Sequence, residues 1–384
     1  MPLTSRRFAL IAPNYHPLTC GVGDHSMRLG GELVRRGYGA AVFTHAPATP
    51  NPGEPALPAF GMPGNTPISV AKAIADRIIA DGYSDAVIQY TARMWGTSRF
   101  GSPALALLAA RLQQAGVTVT LIAHELFTPW RARPDLAVGA ALLRMQFGAL
   151  MRSCAHLFVT TETRKRFLAP MAAGLSPERN LHIMRIGPNV LPIARTPSPS
   201  GHRVGLFSTM AFGKRFDVVI DAFEAIMRAY PDAELLLIGD LGPATSDARR
   251  ALDARIERSA ARDRIHTTGK LALADIATVV ASLDLYLFPM DTGANTRSGT
   301  LPVALGAGVP VVSIAGAETD AIFVDGENIV FARELTGPAF AEAALSVFGD
   351  SARSQRLTRG ERDLYEQRLS WPRITDAFLA AISR

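Results

Sequence analysis

Short apolar runs and helix-spaced segments alternate along this 384-residue chain, and the alternation starts afresh past its midpoint. That order constrains the fold more than any single motif. In the first half, strands are predicted at 8–12, 40–44, 85–90, 117–123, 157–160 and 181–186. Helices are predicted at 24–36, 69–80, 104–114, 137–152 and 164–172, with apolar positions such as Val70, Ile74 and Ile78 at helical spacing. Strands separated by helices cannot close as hairpins, so they pair in parallel with the helices on the sheet faces. The stretch 191–203, LPIARTPSPSGHR, breaks the pattern and reads as a linker. Strands then recur at 204–208, 235–238, 265–268, 283–288, 310–314 and 329–331, with helices at 216–228, 244–261, 275–281 and 300–306. The expected fold class is α/β, two Rossmann-like domains facing across a cleft suited to a ligand with two dissimilar ends. The proline-rich stretch 47–67 is expected to be a surface loop.

Composition fits two cores and removes several function classes. Apolar residues make up 48% and charged residues 19%, enough to bury two cores of about 150–200 residues each. Two cysteines, Cys20 and Cys154, give neither a disulfide framework nor a metal-ligand spacing, which points to a reducing, cytoplasmic setting. The apolar run after Arg6 and Arg7 is too short for a signal-peptide core, and no run is long enough to span a membrane. The net charge of +6 reads as a solvated surface, or as attraction to anionic headgroups or phosphorylated substrates. Arginines gather at 131–133 and 152–166, without the aromatic interleaving expected of a nucleic-acid site.

Chemistry concentrates at predicted strand ends. The loop 290–299 follows a buried strand and precedes a small-residue helix, so it stands where βαβ units gather ligands. It and the residue after it supply Asp291, Asn295, Thr296, Arg297, Ser298, Gly299 and Thr300: hydroxyls, an amide, a guanidinium and free backbone amides. Gly21 and Gly23 open the first helix and would let backbone amides approach an anion; a tight turn is the competing reading. Ser26 occupies the third glycine position of a dinucleotide fingerprint, which argues against a nicotinamide oxidoreductase. Lys214 and Arg215 follow Gly213 between a strand and a helix. They would bind a diphosphate there, or form a solvated loop. His124 and Glu125 end another strand and are either a satisfied buried pair or a contact to substrate, through sugar hydroxyls or general-base work. No serine-nucleophile elbow, cysteine pair or zinc-binding helix motif is present.

With these residues laid out, the chain resembles the retaining glycosyltransferases of family 4, which have the two-domain GT-B fold. CGVGDHSMRLGGELVRRGYGAAVFT is similar to that family's glycine loop, first helix and second strand, and GKRFDVVIDAF to the lysine-bearing start of its second domain. ELLLIGD, IHTTGKL, DLYLFP, ALGAGVPVV and AETDAIFVDGENIVF follow in the family's order. SWPRITDAFL is similar to a terminal helix that crosses back to the first domain. The resemblance implies a nucleotide-sugar donor held mainly by the second domain and an acceptor held mainly by the first. It also implies retention of anomeric configuration and no need for a metal. Carried over by position, Gly23 lies near the donor phosphates, His124 faces the transferred sugar and Lys214 is the pyrophosphate lysine. Two positions depart from the pattern. The family's glutamate pair falls at Asn295 and Val303, and its arginine falls at Thr209, where Arg215 could replace the charge.

The resulting expectation is a hexosyl-type retaining transferase acting in polysaccharide biosynthesis or on a small molecule. Its domains are 1–190 with the helix 370–384, a linker 191–203, and a donor domain 204–369. Lys214, Arg215 and His124 are assigned to catalysis; Gly21, Gly23, Asp291, Asn295, Thr296, Arg297, Ser298, Gly299 and Thr300 to the donor; Glu125 and Tyr90 to the acceptor. No cofactor, metal or nucleic acid is expected. The partners are a nucleotide-sugar and a glycan or lipid-linked acceptor, with room for peripheral contact at the inner face of a membrane. A non-catalytic nucleotide-sugar-binding or assembly protein, and a sugar-nucleotide epimerase of the same fold, remain as alternatives because the glutamate pair is missing.

Overall fold

The computed structural model describes residues 6–18, 20–45, 47–50, 55–92, 94–95, 100–127, 134–175, 181–198, 201–208 and 213–383, with the side chains of 134–136 and 175 excepted. The arginines at 131 and 133, and Thr209, lie outside the described residues. The chain divides into two compact units, Met1–Arg185 with Ile374–Arg384, and Ile186–Arg373.

In the first unit the order is β1 (Arg7–Ile11), α1 (Gly21–Arg35), β2 (Gly39–Thr44), β3 (Ala59–Gly61), α2 (Pro67–Ala80) and β4 (Asp85–Tyr90). It continues with α3 (Ala104–Gln114), β5 (Thr118–Ala123), α4 (Pro134–Arg152), β6 (His156–Val159), α5 (Glu162–Leu175) and β7 (Leu181–Ile183). The seven strands pair in parallel in the order β3-β2-β1-β4-β5-β6-β7. Every residue of β4 is buried, because helices cover a parallel sheet on both faces. The stretch 47–67 is not all loop: β3 lies inside it, with Ala59–Gly61 pairing Val42–Thr44. Three residues among prolines carry no period of their own; the open edge of β2 supplies the pairing. Thr66 and Ser69 form a reciprocal capping box at the start of α2, with Pro67 in its first turn.

The second unit runs β8 (Arg203–Phe207), α6 (Phe216–Ala229), β9 (Glu234–Ile238), α7 (Asp247–Glu257), β10 (Ile265–Thr267), α8 (Leu273–Ala281) and β11 (Leu285–Leu287). It goes on through α9 (Leu301–Ala307), β12 (Val311–Ile314), β13 (Val330–Ala332), α10 (Gly337–Phe348) and α11 (Ser351–Leu364) into α12 (Trp371–Ile382). Its parallel sheet has the order β10-β9-β8-β11-β12-β13. The helices α10 and α11 were not anticipated; α10 packs on α6, where a Cβ at Gly337 would strike Asp221. The expected linker 191–203 lies within this unit. Arg195 ties it down, donating to the Leu283 carbonyl at 2.9 Å and pairing with Asp284 at 2.7 Å.

On the last helix, the helically spaced Trp371, Ile374, Phe378 and Ile382 are all buried. Trp371 donates its indole N–H to the Pro188 carbonyl at 2.9 Å in the second unit. Phe378 meets Phe8 and Phe158 in the first, and Asp376 pairs with Arg36 at 2.7 Å. Just before this helix, Ser370 donates its hydroxyl to the Glu366 carbonyl at 3.3 Å. Among the described residues no helix is long and apolar enough to cross a membrane.

Candidate functional site

In the second unit, Lys214 stands between the ends of two neighbouring parallel strands. The Gly213–Lys214 turn is zipped to the chain leaving β11: Lys214 bridges Met290, Arg215 N–H donates to the Pro289 carbonyl at 3.1 Å, and Asp291 N–H donates to the Gly213 carbonyl at 3.0 Å. Gly213 has φ +86°, and a Cβ there would lie 2.6 Å from an Asp291 carboxylate oxygen, so the turn requires glycine. This clamp directs the lysine inward. Its Nζ donates to Ser208 Oγ at 2.7 Å, lies 3.4 Å from Thr300 Oγ1 and stands 5.7 Å from the centre of the Phe288 ring. Ser298 Oγ lies 2.9 Å from Thr300 Oγ1 and extends the line of hydroxyls. Burial lowers the lysine pKa to about 8, and among the described residues no carboxylate pairs with it. A half-buried cation facing hydroxyls, with no counter-charge, is a place for an anion.

The loop 291–300 is held from within. Thr296 donates both its backbone N–H and its hydroxyl to Asp320 Oδ2, each at 2.7 Å. Asn295, only 2% exposed, donates to the Gly293 carbonyl at 3.1 Å and accepts Arg297 N–H at 3.2 Å. Gly299 passes so close to Asn189 that a Cβ would strike its side chain, and Asn189 N–H donates to the Gly299 carbonyl at 3.2 Å. Asn295 and Thr296 therefore shape the loop, while Thr300 faces Lys214 and Ser298 bonds to Thr300. Asp291 is exposed, Arg297 is half-exposed 3.9 Å from Glu318, and Val303 is fully buried in the core. Arg215 is not brought to Lys214's cradle: it is exposed and pairs with Asp217 at 2.5 Å.

In the first unit, His124 follows β5 and donates its N–H to the Tyr90 carbonyl at 3.0 Å, continuing the ladder to β4. Its ring Nε2 lies 2.6 Å from Gln89 Oε1, and His25 of α1 meets the ring edge-on at 4.7 Å between centres. Arg164 of α5 donates to the His124 carbonyl. Burial first, then the Arg164 charge, lower the His124 pKa to about 3, so the ring is neutral at physiological pH. Glu125 is exposed and accepts Ala92 N–H at 3.4 Å. Tyr90 is buried against Phe147 at 4.9 Å and lines a small pocket with Leu105, Leu143 and Gln146; burial and the Glu125 charge raise its phenol pKa. Gly23 is fitted closely, since a Cβ would lie 2.6 Å from the Asn14 carbonyl oxygen, whereas a Cβ at Gly21 would meet nothing. Gly23 thus serves the packing of the helix start; Gly21 leaves open space.

Sequence reasoning missed Ser208, Asp320, Gln89 and His25. Ser208 and Gln89 had a usable signal: each is a polar residue at or near the carboxyl end of an apolar strand, in GLFS and AVIQY. Asp320 had none, because its partner is 24 residues away. Among the described residues no cluster of three histidines, cysteines or acids could hold a metal ion.

Two Rossmann-like units of this topology define the GT-B class of fold. Residues 201–350, most of the second unit, match the family described as Glycosyl transferases group 1. Solved structures are similar in fold over 98% of the chain. Sucrose-phosphate synthase from Thermosynechococcus elongatus is similar at TM-score 0.70 and 16% identity, covering 98% of both chains. HepE from Anabaena, in complex with UDP, has TM-score 0.73 and 15% identity over 98% of this chain and 99% of its own. WaaG, a glycosyltransferase involved in lipopolysaccharide biosynthesis, has TM-score 0.64 and 14% identity over 98% of this chain and all of its own. At these identities the likeness establishes the fold. No curated protein sequence matches the chain.

Proposed function

We propose that this protein is a glycosyltransferase that moves a sugar from a nucleoside-diphosphate donor to a hydroxyl acceptor. The observation that carries the reading is Lys214: a partly buried ammonium beside the hydroxyls of Ser208 and Thr300, the latter bonded on to Ser298, with no carboxylate among the described residues to neutralise it. A donor diphosphate supplies the missing charge. The group 1 glycosyltransferase match over the same unit supports this, as do the UDP complexes of the structurally similar HepE.

In this reading the bond from the anomeric carbon to the diphosphate oxygen breaks while the bond to the acceptor oxygen forms. The acceptor proton passes to the leaving diphosphate. Negative charge grows on that diphosphate in the transition state, and Lys214 stabilises it more than it stabilises the ground state. Front-face delivery retains anomeric configuration and needs neither a metal nor a protein base. Neutral His124 contributes hydrogen bonding to a sugar hydroxyl rather than proton transfer, which its depressed basicity supports. Arg297, next to Ser298 in the chain, is the candidate second cation for the diphosphate. Tyr90 and Glu125 are assigned to the acceptor side, and a lipid-linked glycan is one candidate acceptor.

The test is a nucleotide-sugar panel read by thermal stabilisation, then by transfer to acceptors with the product anomer assigned by NMR and chelator added in parallel. Wild type should be stabilised by one donor class and Lys214→Met should not. Equal stabilisation of both would overturn the site assignment. A second reading, a non-catalytic nucleotide-sugar binder, is favoured by the commitment of Asn295 to its own loop and of Val303 to the core. Donor binding without transfer or hydrolysis across the acceptor panel would select it.

A further inference from the structure

Gln89 is a buried amide near the end of the apolar sequence AVIQY, 0% exposed, on a strand covered on both faces. A polar side chain there carries a desolvation cost that a valine or leucine would avoid. Its Oε1 lies 2.6 Å from His124 Nε2, and its own Nε2 has no hydrogen-bond partner among the described residues. The amide therefore satisfies the imidazole at the expense of half of itself.

We propose that Gln89 is a positioning residue for His124, holding the ring as the Nε2–H tautomer and leaving Nδ1 as an acceptor for a substrate hydroxyl. An amide oxygen can only accept, so the ring nitrogen facing it must carry the proton. A neutral imidazole has one proton, and Nδ1 is then a lone-pair acceptor. Nδ1 makes no hydrogen bond among the described residues, and the His124 side of the pair keeps the small exposure, 8%, that Gln89 lacks. The groups facing the ring keep it neutral. From β4 come Gln89, uncharged, and Tyr90, whose phenol is held protonated; from α1 comes His25, itself made less basic by burial; from α5 comes the Arg164 cation. Glu125, the next residue in the chain, is exposed. A carboxylate in place of Gln89 would accept the same proton but would also draw a second one onto the ring. Glutamine orients without charging.

The role assigned to Nδ1 rests on the glycosyltransferase reading; the tautomer does not. The test uses the full-length protein with ¹⁵N-labelled histidine, the His124 ring signals being assigned by their loss in His124→Asn. Two-bond ¹⁵N–¹H correlation should show a single Nε2–H tautomer in wild type. Gln89→Leu should mix or reverse it, and Gln89→Glu should preserve it above a newly raised ring pKa. With the donor and acceptor found by the panel, Gln89→Leu should lower kcat by about tenfold, the cost of one lost hydrogen bond in the transition state. Gln89→Glu should recover part of that rate and add a pH limb absent from wild type. An Nδ1–H tautomer in wild type, or a tautomer unaltered by Gln89→Leu, overturns the proposal. So does an altered tautomer with unchanged kcat. Failure of the glycosyltransferase reading itself would look different: no nucleotide-sugar would stabilise the wild type or be transferred to an acceptor, whatever the His124 spectrum.

Discussion

One carboxylate oxygen of Asp320 accepts both the backbone N–H and the hydroxyl of Thr296, each at 2.7 Å, and neither residue is more than 1% exposed. This clasp joins the segment after β12 to the loop that presents Ser298 and Thr300. Hydrogen bonds to a buried charge are stronger than neutral ones, and leaving a buried N–H unmet adds its desolvation cost. Asp320→Ala should therefore destabilise the protein by about 2–4 kcal/mol in denaturant unfolding. Asp320→Asn, which keeps an acceptor, should cost less. Both should weaken nucleotide-sugar binding, because the loop loses its anchor. Unchanged unfolding midpoints would show that the loop is held by other means.

Lys214 ties ligand affinity to pH. Its pKa is lowered by burial from 10.5 to about 8, so the free site loses its charge between pH 7 and pH 9. Diphosphate affinity measured by calorimetry should fall about tenfold across that window, following the charged fraction. Without ligand the sign reverses for stability. The native state holds the lysine proton more weakly than the unfolded chain does. Its penalty is therefore full below pH 8 and fades as pH rises toward 10.5. Lys214→Met should accordingly raise the apo stability at pH 7, by an amount on the order of 1–3 kcal/mol, while abolishing stabilisation by nucleotide-sugars. Lower apo stability in that variant would contradict the account.

Glu361 is a buried carboxyl with a structural duty: its Oε1 accepts Val311 N–H at 2.7 Å, where β12 begins. Burial raises its pKa well above 4.5, against weaker pulls from that hydrogen bond and from Arg195. The native state thus keeps a proton that the unfolded chain releases, and this contribution to stability declines as pH rises above 4.5. Glu361→Gln keeps the acceptor without the ionisation. It should match wild type near pH 4 and exceed it at pH 8. Glu361→Ala should lose roughly 1–3 kcal/mol near pH 4, since Val311 N–H is left without a partner, and that deficit should shrink as pH rises because the variant has no carboxyl to ionise. Parallel stability–pH curves for wild type and Glu361→Gln would refute the raised pKa.

Gly239 sits behind the cradle with φ +109°, and a Cβ on it would stand 2.7 Å from the Ser208 carbonyl oxygen. Both the conformation and the contact exclude a side chain. Gly239→Ala should cost about 1–3 kcal/mol and displace Ser208, the closest hydroxyl to Lys214. Reduced diphosphate affinity at unchanged Lys214 is the expected result. Affinity equal to wild type would mean that Ser208 is not part of the binding geometry.

How much of this was legible in the chain follows from the range of the interactions. The order of strands and helices was readable because periodicity is local: AVFT, AVIQY and TVTLIA are parallel-strand runs, and Val70, Ile74 and Ile78 lie on one helical face, whatever surrounds them. The helical spacing of Trp371, Ile374, Phe378 and Ile382 was equally local, and the α/β class and the glycosyltransferase resemblance came with these patterns. β3 escaped because three residues have no period until β2 offers an edge. The pattern also placed Lys214 and Thr300 at strand ends. It could not show that they lie 3.4 Å apart, since 86 residues separate them and only the pairing of β8 with β11 brings them together. The same holds for Asp320 under Thr296 and for Gln89 under His124. Sequence determined which elements form and which chemical groups stand at their ends. Tertiary packing alone decided which groups meet, which are stripped of water and therefore shifted in basicity, and which, like Asn295 and Arg215, are spent on their own loops.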